Sequence, residues 1–326
     1  MSLIITNGDS AVHRLRASGF SAEILPWRDI LHDGPVPKDL TLSELSKVRA
    51  LFIAEINLGD FSEIRQSFQH RDAIVQNLDK FEEVILCFEH DLYDQLQLLQ
   101  LLDWLYHHPS PNQKRTLICE EEFLGEMSVE RLKELYANRS KITDIQLETA
   151  KLGWQAFRSD NPAELNELII QPHPELPFLN NALIRLIEEY PSSQNGLARN
   201  ENQICTLISN GVTQPVELFQ KVQVMEEAKY LGDWSFWRYI QNLANTENPL
   251  IATQNNTPFC FPQEPFPDKA FNLQELQLTE LGEDVLAGKE DRVTVCGIDK
   301  WIGGVHLTTK NDWRWDKQKT AMKRRQ

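Results

Sequence analysis

Aspartate and histidine collect in three short stretches of the first hundred residues. They are Asn7-Gly8-Asp9-Ser10, Trp27-Arg28-Asp29-Ile30-Leu31-His32-Asp33-Gly34-Pro35, and Phe88-Glu89-His90-Asp91-Leu92-Tyr93-Asp94-Gln95. Such residues can ligate a divalent metal, imidazole nitrogen and carboxylate oxygen being the usual donors. They can act as general acid and base, or hydrogen-bond a polar ligand without reacting on it. The candidates are Asp9, Ser10, Asp29, His32, Asp33, Glu89, His90, Asp91 and Asp94. Among them His32, Asp33, His90 and Asp91 are the expected acid/base groups, and His32, His90 and Asp91 the expected metal ligands. Asn7 and the Gly8 backbone would cradle an anion at the positive end of the following helix, beside Asp9 and Ser10. Arg28 would pair with a charged group of the ligand.

Each stretch follows a short apolar run: Leu3-Ile4-Ile5, Ala22-Glu23-Ile24-Leu25, and Val84-Ile85-Leu86-Cys87-Phe88. As parallel strands, these would deliver all three polar stretches to one carboxyl edge, where open α/β sheets bind ligands. Helical patterns alternate with them. Ala11 to Ser18 is stopped by Gly19. Leu45, Val48, Leu51, Phe52 and Ile56 recur at helical spacing behind a cap at Thr41 or Ser43, and Ser62 to Leu78 follows. Leu92, Leu96, Leu99, Leu102 and Leu105 repeat behind Asp91, a good cap. Lys114 to Cys119 supplies a fourth strand, ahead of Glu120-Glu121-Glu122 and a helix at Ser128 to Ala137. Alternating strands and helices predict a three-layer, parallel-sheet, Rossmann-like α/β domain over residues 1–150.

Each site residue also has a plainer reading. Asp9 or Ser10 would cap the first helix, and His32-Asp33-Gly34-Pro35 would be a tight turn. His90 would be a core histidine, and Asp91 a cap. Asn7-Gly8-Asp9-Ser10 also invites comparison with hydrolases whose nucleophilic serine sits in a Gly-Asp-Ser turn. Those need a late Asp-x-x-His pair, and here Asp29 to His32 comes far too early. His107-His108 ends a helix and suits its dipole.

After residue 150 the pattern changes. Pro162 to Ile170 and Leu179 to Tyr190 read as helices of a connector, 151–197. Residues 198–326 then give helices at Asn200–Asn210, Pro215–Val222 and Trp234–Ala244, with strands around Pro249-Leu250-Ile251-Ala252 and Leu276-Gln277-Leu278-Thr279. A helix capped by Thr279 and stopped by Gly288 closes the series. That order is similar to a winged helix-turn-helix, followed by Trp/Gly-rich strands from Asp299 to Asp316. The presumed recognition helix, Gly232 to Ala244, offers Arg238 but also Asp233. A major-groove reader presents more basic or amide groups, so a packing or homodimerisation module ranks above DNA binding.

The chain has 326 residues, 33 basic and 48 acidic, and a net charge of −15. This disfavours a nucleic-acid partner, which needs a basic footprint; the locally basic Lys317 to Arg325 reads as a solvated tail. No apolar run approaches the ~18 residues of a membrane span, and the N-terminus does not read as a signal peptide. Five scattered cysteines without a C-x-x-C pair suit a reducing cytoplasm and exclude a zinc finger.

The three polar strings, with Val36-Pro37 after the second and Leu96 after the third, resemble a bacterial family catalogued as a domain of unknown function. The likeness covers about residues 3–125. Trp301-Ile302-Gly303-Gly304-Val305-His306-Leu307 and Trp313-Arg314-Trp315-Asp316 resemble the tail often attached to it. The resemblance implies a compact N-terminal α/β domain and carries no activity. The leading expectation is therefore a site for a polar, phosphate-bearing small molecule at the carboxyl edge, with metal-assisted hydrolysis as its reaction. The alternatives are a ligand-sensing transcriptional regulator that binds DNA through the winged helix, and a non-catalytic interaction protein.

Overall fold

The computed structural model describes residues 1–263 and 268–325. The chain forms two compact units. One holds Met1–Ile184 with Trp301–Val305; the other holds Arg185–Lys300 with His306–Gln326.

The first unit begins with β1 (Ser2–Thr6), α1 (Asp9–Ala17), β2 (Ala22–Pro26) and a two-residue β3 (Gly34–Pro35). Then come α2 (Leu42–Glu55), α3 (Phe61–Val75), β4 (Glu83–Glu89), α4 (Leu92–His107) and β5 (Lys114–Glu120). α5 (Val129–Asn138), β6 (Ser140–Lys141), α6 (Asp144–Arg158), α7 (Ala163–Ile169) and α8 (Leu179–Ile187) complete the run. Among the described residues the main sheet has the order β2-β1-β4-β5-β6. Its first four strands are parallel, and only the short β6 runs antiparallel. The sheet is thus mixed but parallel-dominated, with helices against it, as the alternating pattern predicts.

β4 is the centre because every one of its residues is buried. A strand covered on both faces must be apolar throughout rather than alternate, and Val84 to Phe88 meets that demand. α4 follows it as an almost wholly buried helix. Gln95, Gln97 and Gln100 are enclosed along with its leucines, so it is a core element and not the half-solvated helix that a leucine stripe suggests. α6 lies along it. A Cβ on Gly153 would come within 3.0 Å of Leu99 Cδ2, so the small residue sets the approach. α6 begins at Asp144, behind a Thr143–Gln146 capping box. Position 150 is therefore interior to a helix. The first unit continues through the connector to Ile184 because α6 and α7 belong to its core.

The segment 301–305, from the Trp/Gly-rich stretch, belongs to the first unit. Gly34 pairs in parallel with Ile302 and Pro35 with Gly303. Val36 N donates to Gly303 O at 2.7 Å, and Gly304 N to Phe157 O at 3.0 Å. A Cβ on Gly304 would fall 1.9 Å from Arg158 O. The Gly-Gly pair is there because no side chain fits.

The second unit holds α9 (Arg199–Ser209), α10 (Pro215–Met225), α11 (Asp233–Ala244), β7 (Ile251–Thr253), α12 (Lys269–Asn272) and β8 (Leu276–Leu278). α13 (Glu280–Leu286) and α14 (Arg292–Cys296) precede β9 (Asp299–Gly303), β10 (Val305–Thr308), β11 (Trp313–Asp316) and β12 (Ala321–Arg324). β7 and β8 pair antiparallel. Thr279 caps α13 with its hydroxyl, and Gly288 follows with φ +74°. Most of the basic C-terminal run is exposed, as a solvated tail would be, and within it β12 pairs with β11, placing Lys323 opposite Arg314.

Candidate metal centre

β1 and β4 are neighbours, yet the chain leaves β1 towards β2 and leaves β4 towards β5. Connections that depart in opposite directions open a crevice at the carboxyl ends of the two strands, the usual ligand site of such sheets. Asn7 stands at the end of β1, and Glu89, Asp91 and Asp94 run from the end of β4 into the first turn of α4. The Asn7 side-chain amide donates to Asp94 Oδ2 at 2.8 Å, joining the first and third stretches. The second joins as well: Gln97 Nε2 donates to Asp29 O at 2.8 Å, and the His32 ring meets Tyr93 edge-on at 6.0 Å.

Three carboxylates converge there. Glu89, Asp91 and Asp94 are all buried, and each offers an oxygen within 4.8 Å of the others. Among the described residues this is the only group of three or more potential metal ligands so arranged. Local backbone chemistry holds each one. Asp91 is the N-cap of α4, its Oδ1 accepting from Asp94 N at 3.1 Å. Asp94 reaches back one turn to accept from Glu89 N at 2.7 Å. Glu89 Oε1 accepts from Leu124 N at 2.7 Å, so the loop after β5 closes on it.

No lysine, arginine or histidine forms an ion pair with any of the three among the described residues. Burial therefore pushes every carboxyl up. Asp91, with Glu89 adding repulsion, rises to about 7. Asp94 rises well above the usual range, through burial first and then through Asp91 and Glu89; burial also raises Glu89. Desolvation disfavours the charged form, and like charges add to it. A cation reverses both effects. Three oxygen donors with no nitrogen or sulfur among them suit a hard divalent ion such as Mg²⁺, Mn²⁺ or Ca²⁺.

The expected ligand set is corrected in two places. His90 is not in the cluster. Its ring packs against Phe123 and Phe178, with centroids at 5.5 and 6.0 Å, and burial lowers its pKa. His32 lies buried beside Tyr93 and does not join the carboxylates either. Of the three expected ligands, Asp91 alone belongs to the cluster, together with Glu89 and Asp94. Alternation explains the exchange: neighbours at a strand end point to opposite faces, so Glu89 and His90 diverge. Asp91 and Asp94, three apart, share one face of the first helical turn.

The residues of the expected anion-binding group have the following partners. Gly8, in extended conformation, is the N-cap of α1 without a side-chain cap bond; neither Asp9 nor Ser10 fills that role. Arg28 forks onto Asp9 at 2.9 and 2.6 Å, each thereby lowering or raising the other's pKa in the sense of a stable pair. Ser10 lies so close to Gly125 that a Cβ there would sit 2.1 Å from its hydroxyl oxygen. Asn7 faces an acid, so the crevice is acidic where a phosphate cradle was expected.

Asp29 and the turn at Asp33 are organised by a residue that the motifs do not reveal. Arg49 of α2, fully buried, donates to Asp29 Oδ1 at 2.9 Å and to the carbonyls of Ile30, Asp33 and Pro35 at 3.0, 2.8 and 3.2 Å. Asp33 N bonds Ile30 O, forming the tight turn. Asp29 therefore anchors the loop, and Asp33 is half-buried within it. Arg71 of α3 stacks on Trp27 at 4.0 Å beneath the same loop. Only an arginine at a helical apolar position, read as more than solvated charge, could have signalled this.

No model of a known protein family matches this chain, and no curated protein matches it either. Among the described residues no helix is long and apolar enough to cross a membrane.

Proposed function

We propose that the carboxyl edge of the parallel sheet binds a divalent cation through Glu89, Asp91 and Asp94, and through that cation a polar, phosphate-bearing small molecule. The observation that carries this reading is the convergence of three buried carboxylates, within 4.8 Å, that no cationic side chain offsets among the described residues. An anionic ligand would be repelled by this crevice unless a cation bridged the two. A cation held there would polarise a phosphoryl oxygen and lower the pKa of a bound water, the chemistry of metal-assisted hydrolysis. The protein residues hold the ion and exclude water, while Asn7 fixes Asp94.

Calorimetric titration of Mg²⁺ and Mn²⁺ into the wild type and into Asp91→Asn tests the reading. Asparagine caps a helix as well as aspartate does, so the variant loses charge without losing the cap. The wild type should bind, and the variant at least ~10-fold more weakly. If the wild type binds neither ion at millimolar concentration, the metal centre is wrong. Phosphate release from simple phosphate esters, dependent on the same ion, tests the hydrolytic step separately.

For the second unit, the series α9, α10, α11, antiparallel β7–β8 and α13 supports a winged-helix-like reading. α11 buries Ser235, Phe236, Trp237, Ile240 and Leu243, and Arg238 is its one basic residue. A helix committed to packing and poor in positive charge favours an interaction module over a DNA reader. Salt-sensitive retardation of random-sequence DNA at low ionic strength would reverse that preference.

A further inference from the structure

A second cavity lies in the first unit, away from the carboxylates. It has a volume of about 230 Å³, set between the start of α2, the C-terminal half of α4 and the end of α6. Its walls are apolar and aromatic: Trp104, Trp154, Leu45, Leu101 and Val75 all line it. For scale, a dry cavity of about 150 Å³ accommodates benzene, so this one has room for a large side chain and a small head group.

Two groups of opposite charge share those walls. Asp103 projects from α4 with its side chain 16% exposed; its ion-pair partner among the described residues is His107, at 3.5 Å. It accepts no hydrogen bond from the protein among the described residues, and burial pushes its carboxyl up to about 6. Arg158, at the end of α6, donates from Nε and Nη2 to the carbonyls of Pro37 and Leu40. Those carbonyls are neutral, and among the described residues no carboxylate lies within ion-pair distance of the guanidinium; burial lowers its pKa. Both charges are part-buried, and each attracts the other across the cavity wall. A ligand that carries both signs of charge would meet each of them with its opposite in a part-buried setting, where such attraction is stronger than in water.

We propose that this cavity binds a free amino acid with a bulky apolar side chain. The ammonium would meet Asp103, the carboxylate would meet Arg158, and the side chain would lie among Trp104, Trp154 and Leu101. Simple amines would face the positive Arg158, and simple acids would face Asp103. The zwitterion answers both charges. Trp104 is already stacked on His108 at 3.8 Å, which fixes its ring as a rigid wall. The proposal is independent of the metal centre, since none of its residues is shared.

The test is calorimetric titration of the full chain with L-tryptophan, L-phenylalanine and L-leucine. Tryptamine and indole-3-propionate, which each lack one charged group, are the comparison ligands. At least one amino acid should bind, and each truncated analogue should bind at least ~10-fold more weakly than L-tryptophan, a difference of about 1.4 kcal/mol. Asp103→Asn, nearly isosteric, should weaken amino-acid binding by a similar factor while its circular dichroism stays that of the wild type. No binding of any of the three amino acids at ~10 mM, a Kd in the range of weak millimolar association, overturns the proposal. So does tryptamine or indole-3-propionate binding as tightly as L-tryptophan. Because the analogues are tried on the wild type, the test survives a variant that fails to fold.

Discussion

Glu89, Asp91 and Asp94 in the first unit, and Glu188, Glu189 and Glu226 in the second, are both groups of three enclosed carboxylates. Their surroundings differ completely. Arg185 bonds Glu189 at 2.7 Å and forks onto Glu226 at 2.6 and 3.0 Å. Arg199 meets Glu188 at 2.6 Å, and Lys300 meets Glu189 at 3.2 Å. Asn200 donates to the Glu189 oxygen that Arg185 holds, at 2.8 Å, and Tyr239 to the one that Lys300 holds, at 2.5 Å. Burial alone would raise Glu189, but Lys300 and Arg185 outweigh it and hold the carboxyl at about 2. In the first unit burial has no such opponent, and Asp91 stands at about 7. Charge that the protein neutralises itself is architecture. Charge that it gathers and leaves uncompensated is the better candidate for binding something.

The strongest way to break this comparison is Arg185→Met. Removing one partner of a buried ion pair typically costs about 3–5 kcal/mol, because the other charge stays behind. Urea denaturation should show a loss of that size; a loss below about 1 kcal/mol would mean that compensation is not what supports Glu189 and Glu226. Asp91→Asn should act in the opposite direction. In chelator at pH 8 it should raise stability, on the order of 1–2 kcal/mol, since it deletes a charge that the fold disfavours. Added Mg²⁺ should stabilise the wild type and leave the variant unchanged.

The pH dependence of the two clusters has opposite signs. An acid raised in the native state binds its proton more tightly there than when unfolded. The Asp91 contribution is thus most favourable below its ordinary 3.8 and is lost as pH rises towards 7. Glu189, held at about 2, contributes stability above the ordinary 4.5, which is lost as pH falls towards 2. Glu83, also held at about 2, chiefly by the Arg139 hydrogen bonds, behaves like Glu189. Thermal unfolding of chelated protein across pH 3–8 should show both limbs, and Asp91→Asn should flatten the alkaline one alone.

The smallest expected effect is that of Arg28→Ala. The Arg28–Asp9 pair is exposed, 49% and 71% by side chain. Exposed pairs contribute about 0–1 kcal/mol, so the melting curve should scarcely move. A large loss would show that surface pairs here behave like the enclosed network of the second unit.

Much of the fold is legible in the sequence. β1, β2, β4 and β5 follow from apolar runs that end in turns, and the convergence of three polar stretches follows from their being parallel. The pair Glu89 and Asp91 was legible too, because strand alternation separates both from His90. What hides the full cluster is that Asp94 reads as an ordinary first-turn acid until its return to Glu89 N is seen. Arg49 and Arg185 are harder. Each is a long cation on a helix, a pattern that usually means solvent, and only the chain folded around them reveals them as buried anchors. The Asp103–Arg158 cavity is invisible for a related reason: its walls come from four helices spread over more than a hundred residues.

The parallel pairing of Gly34–Pro35 with Ile302–Gly303 has a consequence in time. A ribosome releases Ile184, the last residue of the first unit's main segment, roughly 120 residues before Val305. At about 5–20 residues per second, that is a delay of roughly 6–24 seconds. Throughout it, the loop that carries His32 and Asp33 lacks its partner strand, and the Phe157 carbonyl lacks the Gly304 amide. A nascent chain would therefore hold its sheet before it could finish the rim of the crevice, and a fragment ending at residue 184 would stay in that unfinished condition. Truncation is a poor way to isolate this domain; a version that supplies residues 301–305 on a short linker is the better starting point.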